Sequence, residues 1–335
     1  MSPAPPTSHR AARLLLGVAL AGLLVLLGVR LLGVERGTGL QLLVGALPLT
    51  LLPAYPLLVG ALLLRARAHV AAALLVVAGH VAVVAPALGS TPLPTGAQGA
   101  PRLRVLTANL YVLNPDPGRA ARALRALRPD VLVVPELTTQ GLAALRAGGV
   151  LADLPHSAVE LGARSESVGL FSRLPLRDVD LRPVDVRVLP RATVEVGGRR
   201  VRLLTVHPLP PLSAWEGLWR SALADLAGEV RDTTLPVVVA GDLNADRDHA
   251  PFRRLLRTGL RDAHDERGRG LARTWPAARP VLQLDHVLVR DGQGARLEVL
   301  DVEEVRVPGS DHRAVLADLA VLPDRSVRRS PGRGE

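Results

Sequence analysis

The chain contains no cysteine and no lysine, and only 2% of its 335 residues are aromatic. The first absence excludes disulfides and every thiolate metal site, so a metal here would be held by oxygen or imidazole. The second makes all 41 basic residues arginine, a bias of codon use that removes functional meaning from arginine abundance. Acidic residues are also scarce in the first hundred positions, which carry six Arg and one acid. The net charge of +10 invites a nucleic-acid reading. Its distribution weakens that reading: +5 falls on residues 1–100, +2 on 323–335, and only +3 on residues 101–322.

What replaces charge at the start is hydrocarbon. LLLGVALAGLLVLLGV (14–29), extended to residue 32 by Arg30-Leu31-Leu32, GLQLLVGALPLTLLPAYPLLVGALLL (39–64) and HVAAALLVVAGHVAVVAPAL (69–88) are three apolar runs. Each approaches the ~20 residues that cross ~30 Å of hydrocarbon. We therefore expect a membrane anchor over 1–88, with spans at about 14–32, 40–64 and 69–88. A cleaved leader would not be followed by two further runs of this kind. Pro48, Pro53 and Pro56 should kink the second span. Arg10, Arg13, Arg65 and Arg67 flank one side and Arg30 and Arg36, with Glu35, the other. The positive-inside rule then puts everything after residue 90 outside the cytoplasm, in a multi-pass cell-membrane protein. His80 falls inside a span with no partner visible in the sequence.

Residues 89–101, GSTPLPTGAQGAP, read as a linker. From there the pattern changes. LRVLTANL (103–110), VLVVPEL (131–137), SVGLFS (167–172), RVRLLTVH (200–207), LPVVVAGD (235–242), LDHVLVRD (284–291), LEVLDVEEVRV (297–307) and HRAVLADLAVL (312–322) read as strands. ARALRALRPD (121–130) and SAWEGLWRSALADLAGEV (213–230) read as helices, the second capped by Ser213 with Glu216 three residues on. Trp215 and Trp219, four apart, read as core. The alternation predicts an α/β sandwich on mixed sheets over 102–322, and a disordered basic tail over 323–335.

Polar residues recur where these strands end. Asn109, Glu136, His207, and the pair Asp242 and Asn244 follow apolar runs. Asp285, Asp311 and His312 precede them. A single strand-terminal Asn or Glu is ordinarily a turn residue, but strand ends in α/β sheets converge on one crevice. In order, TANL, VVPEL, SVGLFSR, TVHPLPP, GDLNAD, LDHVLV and GSDHRAV resemble the endonuclease/exonuclease/phosphatase superfamily of deoxyribonuclease-like metallophosphoesterases. The resemblance covers roughly 102–321. TVHPLPP resembles a membrane-tethered bacterial branch of it. It implies a four-layer α/β sandwich, two packed mixed β-sheets flanked by helices, here preceded by a bundle of about three transmembrane helices.

The resemblance also implies roles. Glu136 is the main metal carboxylate, with Asn109 beside it and Asp311 adding metal or nearby charge. Asp242 positions or deprotonates the attacking water, or ligates a second metal. Asn244 and His207 donate to phosphate or leaving group, and Asp285 orients His312. An oxygen-only site suits Mg²⁺ or Mn²⁺. Gly241 is expected to let the chain pass close to the phosphate, and alternation to aim Asp242 and Asn244 to one side. Arg173 is a substrate contact or a plain strand end, and Trp275 packs beside the site or in the core. His286 should face away from Asp285. His156, His249 and His264 show no arguable partner. The reading is a membrane-anchored, Mg²⁺-dependent phosphoric ester hydrolase. Its substrate is a nucleic acid, as for a nuclease, or a lipid headgroup. No apolar insertion loop is evident in the soluble part, and the completeness of the polar set argues against an inactive binding module.

Overall fold

The computed structural model describes residues 7–161, 167–184 and 187–324. The tail expected to be disordered lies, beyond Asp324, outside the described residues, and Pro323 itself closes the last strand.

The N-terminal module consists of α1 (Thr7–Leu32), α2 (Thr38–Gly45), α3 (Leu47–Thr50), α4 (Ala54–Leu63) and α5 (Arg67–Leu88). Helices α1 and α5 are long and apolar enough to cross a membrane. They pack closely because Gly79 leaves no side chain in the way: a Cβ there would meet Leu27 at 2.3 Å. The run expected to be one span over 40–64 is broken instead. Its first part, α2, is turned by 82° from Leu47–Leu63. Pro48 sits just after the break, in the first turn of α3, and Pro53 precedes α4; neither can donate to the helical ladder. The freed Pro48 carbonyl is met by His80 Nε2 at 3.0 Å, and His80 Nδ1 by the Tyr55 hydroxyl at 2.9 Å. His80 thus has a structural partner that the sequence did not disclose.

Residues 89–101 are docked rather than free. Thr91 N–H donates to Glu266 O at 2.9 Å, and Ala97 is buried against Ala320 and Leu322. The chain then runs β1 (Arg102–Thr107), α6 (Pro117–Ala126), β2 (Val131–Leu137), α7 (Thr139–Ala147), α8 (Val150–Asp153), β3 (His156–Ala158) and β4 (Ser167–Ser172). Next come β5 (Arg177–Val184), β6 (Arg187–Val196), β7 (Arg199–Val206), α9 (Glu216–Asp232), β8 (Val237–Asp242), α10 (Ala250–Leu256), β9 (Arg261–Asp262) and α11 (Ala263–Glu266). Strands β10 (Asp285–Arg290), β11 (Ala295–Arg306) and β12 (Arg313–Pro323) complete it.

The strands form two six-stranded mixed sheets, ordered β11-β12-β1-β2-β4-β3 and β5-β6-β7-β8-β10-β9. In each, one central pair is parallel, β1 with β2 and β7 with β8. Their inner faces share one core, with Leu103, Val105 and Val133 against Leu203, Val238 and Val287. Outside, α6–α8 cover the first sheet through Leu124, Leu145 and Val150, and α9 and α10 cover the second through Trp219, Leu223 and Phe252. The result is the expected four-layer sandwich.

Helix α9 starts at Glu216, three residues later than expected. Ser213 does not cap it, because its N–H and hydroxyl both bond Thr38 Oγ1, at 3.0 and 3.1 Å. Trp219 is core as expected. Trp215 is not: it sits before the helix and is 41% exposed.

Candidate active site

The polar residues converge because of strand direction. Strands β1, β2, β7 and β8 end at one edge of the sandwich. Strands β10 and β12, antiparallel to β8 and β1, begin there, with Asp285 opposite Asp242 in register. Asn109, Glu136, His207, Asp242, Asn244, Asp285, Asp311 and His312 therefore stand around one opening.

Two networks fill it. In the first, Asn109 Nδ2 donates to Glu136 Oε1 at 2.9 Å and to Asp242 Oδ2 at 3.1 Å. Its own Oδ1 accepts from Tyr111 N at 2.8 Å. The amide nitrogen, not the oxygen, thus faces the carboxylates, so Asn109 spaces the two acids and would have to turn over to ligate a cation. Glu136 Oε2 accepts from Val112 N at 2.7 Å. Glu136 takes φ +53 at a bulge in β2, a costly conformation for a non-glycine residue that re-aims its side chain into the opening. In the second, His312 Nδ1 lies 2.8 Å from Asp285 Oδ2, and His312 Nε2 3.8 Å from Asp242 Oδ2. His207 Nε2 lies 3.9 Å from Asp242 Oδ2 and 4.0 Å from Glu136 Oε1.

Burial sets the charges. It pushes the Asp242 carboxyl up to about 7, with His312 opposing and Asp285 and Glu136 reinforcing. Burial would lower His312, but Asp285 and Asp242 outweigh it and hold its pKa at about 10, so the ring is an imidazolium at neutral pH. Burial, with Arg187 and His312 nearby, pushes His207 well below its usual value, so this ring is neutral.

Asp242, Asp285 and His312 place potential ligand atoms within 4.8 Å of one another. An imidazolium is no metal ligand, so this trio reads better as a charged relay. The oxygens of Glu136, Asp242 and Asp311 are the donors that suit a hard cation. Asp311 Oδ1 and Asp285 Oδ1 are buried with no hydrogen-bond partner, a donor set with unmet demand.

Two expectations about β8 are corrected. Gly241 is required by a neighbouring strand rather than by a phosphate: a Cβ there would sit 1.9 Å from Val206 O, at φ +149. Alternation stops at Asp242, because Asn244 takes φ +47 and its N–H bonds Asp242 Oδ1 at 2.8 Å. Leu243 is buried as expected, and Asn244 Nδ2 donates to Pro208 O at 3.1 Å.

Arg173 is not brought to the site. Ser172 pairs with Val131, at the start of β2, whereas Glu136 lies near its end, and Arg173 pairs with Asp130 at 3.4 Å. Antiparallel pairing with β2 carries the end of β4 away from the opening. Trp275 does stand beside the site: its Nε1 donates to Asp311 Oδ2 at 3.2 Å. His286 faces the other way, bonded to Asp262 at 2.6 Å. His264 and His249 have partners too, in Asp262 and Glu304 for the first and the Gln41 carbonyl for the second.

Supporting residues were missed. Buried Thr274 accepts from the N–H groups of Leu284 and Asp285, at 3.0 and 3.2 Å, and fixes the start of β10. Ser310 Oγ donates to Asn109 O at 2.7 Å and accepts from His312 N at 3.0 Å, tying the two networks together. Ser310 lies in the GSDHRAV stretch, whereas Thr274, just before Trp275, carries no signal of its role in the sequence. Nothing in the sequence suggested that α2 reaches the site. Its Gln41 and Leu42 line a cavity of about 290 Å³ together with Asn244, Trp275 and His312.

No curated protein matches the chain. Among solved structures, one is an endonuclease/exonuclease/phosphatase from Beutenbergia cavernae, 21% identical with TM-score 0.52, covering 66% of this chain and 72% of that one. Another, from Bacteroides vulgatus and of the same description, is 19% identical with TM-score 0.53, covering 66% and 99%. D. rerio TDP2, solved with a single-strand DNA product, is 17% identical with TM-score 0.53, covering 65% and 98%. At these identities they show a shared fold. The family model described as Endonuclease/Exonuclease/phosphatase matches residues 106–312, most of the chain and every strand end described above. By that match, the chain belongs to the endonuclease/exonuclease/phosphatase family.

Proposed function

We propose that the protein is a membrane-anchored phosphoester hydrolase that depends on Mg²⁺ or Mn²⁺ and uses an activated water. The observation that carries this is the pairing of an acid cluster, Glu136–Asn109–Asp242, with a charged His312–Asp285 pair across one opening. A divalent cation held by Glu136, with Asp311 and Asp242 near, would supply charge neutralisation at the phosphoryl oxygens. Asp242, poised near neutrality, takes a proton from water. The water oxygen bonds to phosphorus, the bond to the leaving oxygen breaks, and that oxygen takes a proton from solvent water to leave as the alcohol. His312 Nε2–H and Asn244 donate to the developing charge. Asp285 keeps His312 charged and aimed. Neutral His207 remains available to accept or pass a proton.

The anchoring reading rests on α1 and α5 and on the arginines. Arg13 donates to Leu64 O at 2.7 Å, so the start of α1 and the α4–α5 turn share one end of the module. The catalytic domain docks on the other end, where Arg30 pairs with Asp248 at 3.0 Å. With Arg10, Arg13, Arg65 and Arg67 at the cytoplasmic end, the active site stands outside.

The test is hydrolysis of water-soluble ethyl p-nitrophenyl phosphate by the full-length, metal-stripped protein in detergent, titrated with Mg²⁺ and Mn²⁺. We expect metal-dependent release of nitrophenolate that falls at least ~10²-fold in Asp242→Asn. Equal rates for Asp242→Asn and the native protein would overturn the reading.

A further inference from the structure

We propose that the cavity between α2 and the catalytic domain binds the apolar chain of a membrane lipid phosphoester. Its phosphate would lie at Asn244 and His312, and the helical module would form part of the substrate site. This deepens the hydrolase reading and rests on it.

The cavity has a lining of two kinds. Asn244 and His312 are members of the candidate active site, with Trp275 beside them. The remainder is mostly apolar, with Leu42 of α2, Leu212 of the loop before α9, and Leu282 of the loop before β10. Among the described residues its lining holds no arginine and no carboxylate. Beyond His312, a polyanion tracking away from the site would meet no cation, which disfavours nucleic acid in this cavity. A phosphate carrying a hydrocarbon chain matches both kinds of lining. The volume of about 290 Å³ equals roughly ten water volumes at ~30 Å³ each, room for the part of one chain nearest the phosphate.

The α2 wall is built in, not a chance approach. Gly37 N donates to Glu216 Oε2 at 2.8 Å, Thr38 bonds Ser213, and His249 Nε2 lies 2.9 Å from Gln41 O. Gly45 packs so closely that a Cβ would meet His249 at 2.9 Å and Leu282 at 3.0 Å. Glu35, fully buried, accepts from Ala250 N at 2.8 Å, and Arg220 donates to its backbone carbonyl. The helix that lines the cavity thus belongs to the module read as lying in the membrane, and continues into it through α3 and α4.

The rim of the cavity carries the lipid reading further. Gln41 lines the cavity and is otherwise buried, its Nε2 donating to Glu35 O at 3.3 Å, so the wall it forms is held in place. Of the lining residues, Leu42 is 49% and Leu212 43% exposed, and Trp215 and Val281, close in sequence to lining residues Leu212 and Leu282, are exposed as well. A bilayer would cover such apolar side chains. The 82° turn of α2 is what lays its side chains along this rim instead of within the span.

The experiment compares two substrates with one reacting group, ethyl and hexadecyl p-nitrophenyl phosphate, cleaved by the full-length protein in dodecyl maltoside micelles. We expect kcat/KM to favour the hexadecyl ester at least tenfold. Leu42→Arg should cut that preference at least tenfold and Leu42→Met should retain it, and comparison within one micelle system cancels partitioning. Binding is read separately, by quenching of tryptophan fluorescence with 11-bromoundecyl phosphate. We expect saturable quenching whose Trp275 component, read as the difference between native and Trp275→Phe protein, is lost in Leu42→Arg. Cleavage of both esters with the same preference in native and Leu42→Arg protein overturns the inference and leaves the hydrolase reading standing. So does single-stranded DNA outcompeting the hexadecyl ester. Absence of any hydrolysis with quenching intact removes the hydrolase reading and supports the cavity as a lipid site.

Discussion

Replacing Asp285 by Asn tests the charge relay without emptying the site. The carboxylate is fully buried, and its only hydrogen bond among the described residues is the 2.8 Å contact with His312 Nδ1. An Asn oxygen can still accept that proton, so the contact survives while the charge is lost. Hydrogen bonds to charged groups contribute about 1.5–3 kcal/mol and neutral ones about 0.5–1.5 kcal/mol. The difference, about 1–2 kcal/mol, corresponds to a roughly 5- to 30-fold fall in kcat. His312→Ala, which removes the donor itself, should cost at least ~10²-fold. KM should move less than kcat in both, and the double variant should be no worse than His312→Ala. Metal-free protein carrying ¹⁵N-histidine gives a second readout by NMR. In the native protein His312 should titrate near 10, above its ordinary 6.5. In Asp285→Asn, burial is opposed by Asp242 and Asp311 without Asp285, and the value should fall. The sign of the linkage follows: the pair's contribution to stability is complete below pH ~6.5 and is lost as pH rises through about 10. The stability gap between native and Asp285→Asn should therefore close over that interval. Additive kinetic losses, or activity falling only in proportion to folded protein, would make His312 a structural histidine and refute the relay.

Glu136→Gln should weaken Mg²⁺ or Mn²⁺ binding at least tenfold by calorimetry, with partial recovery of rate at high metal; an unchanged titration removes Glu136 from the ligands. Gly241→Ala should destabilise by about 3 kcal/mol or more, because its methyl group has Val206 O at 1.9 Å and nowhere to move; a native melting temperature would refute this. Burial works against the charge on His264, but its bonds to Asp262 and Glu304 prevail and raise its pKa to about 9. That network's stabilisation is present below pH ~6.5 and lost as pH rises through 9, so His264→Gln should lower the melting temperature more at pH 6.5 than at pH 9.5.

Much of this was legible in one dimension. Strands over 131–137 and 167–172 end where the alternation of apolar residues ends, and the GDLNAD and SDH motifs carry chemistry that no buried strand needs for itself. Local sequence sets these because strand propensity and polar breaks act over a few residues. Three things required the folded chain. The hydrogen-bond partners of Asn109 lie 27 and 133 positions away, so its orientation toward Glu136 and Asp242 depends on how two sheets meet. Arg173 reads from its motif as a substrate contact or a plain strand end, and antiparallel pairing with β2 decides for the second by carrying it to the other end. Helix α2 reads as the start of a membrane span from composition alone. Its turn toward the catalytic domain follows from Pro48, which breaks the helix, and from Glu216, His249 and Ser213, which hold it there across 170 residues or more. Hydropathy is a sum over neighbours in sequence and cannot register such partners, so the wall that α2 gives to the cavity at Asn244 and His312 is a property of the tertiary structure alone.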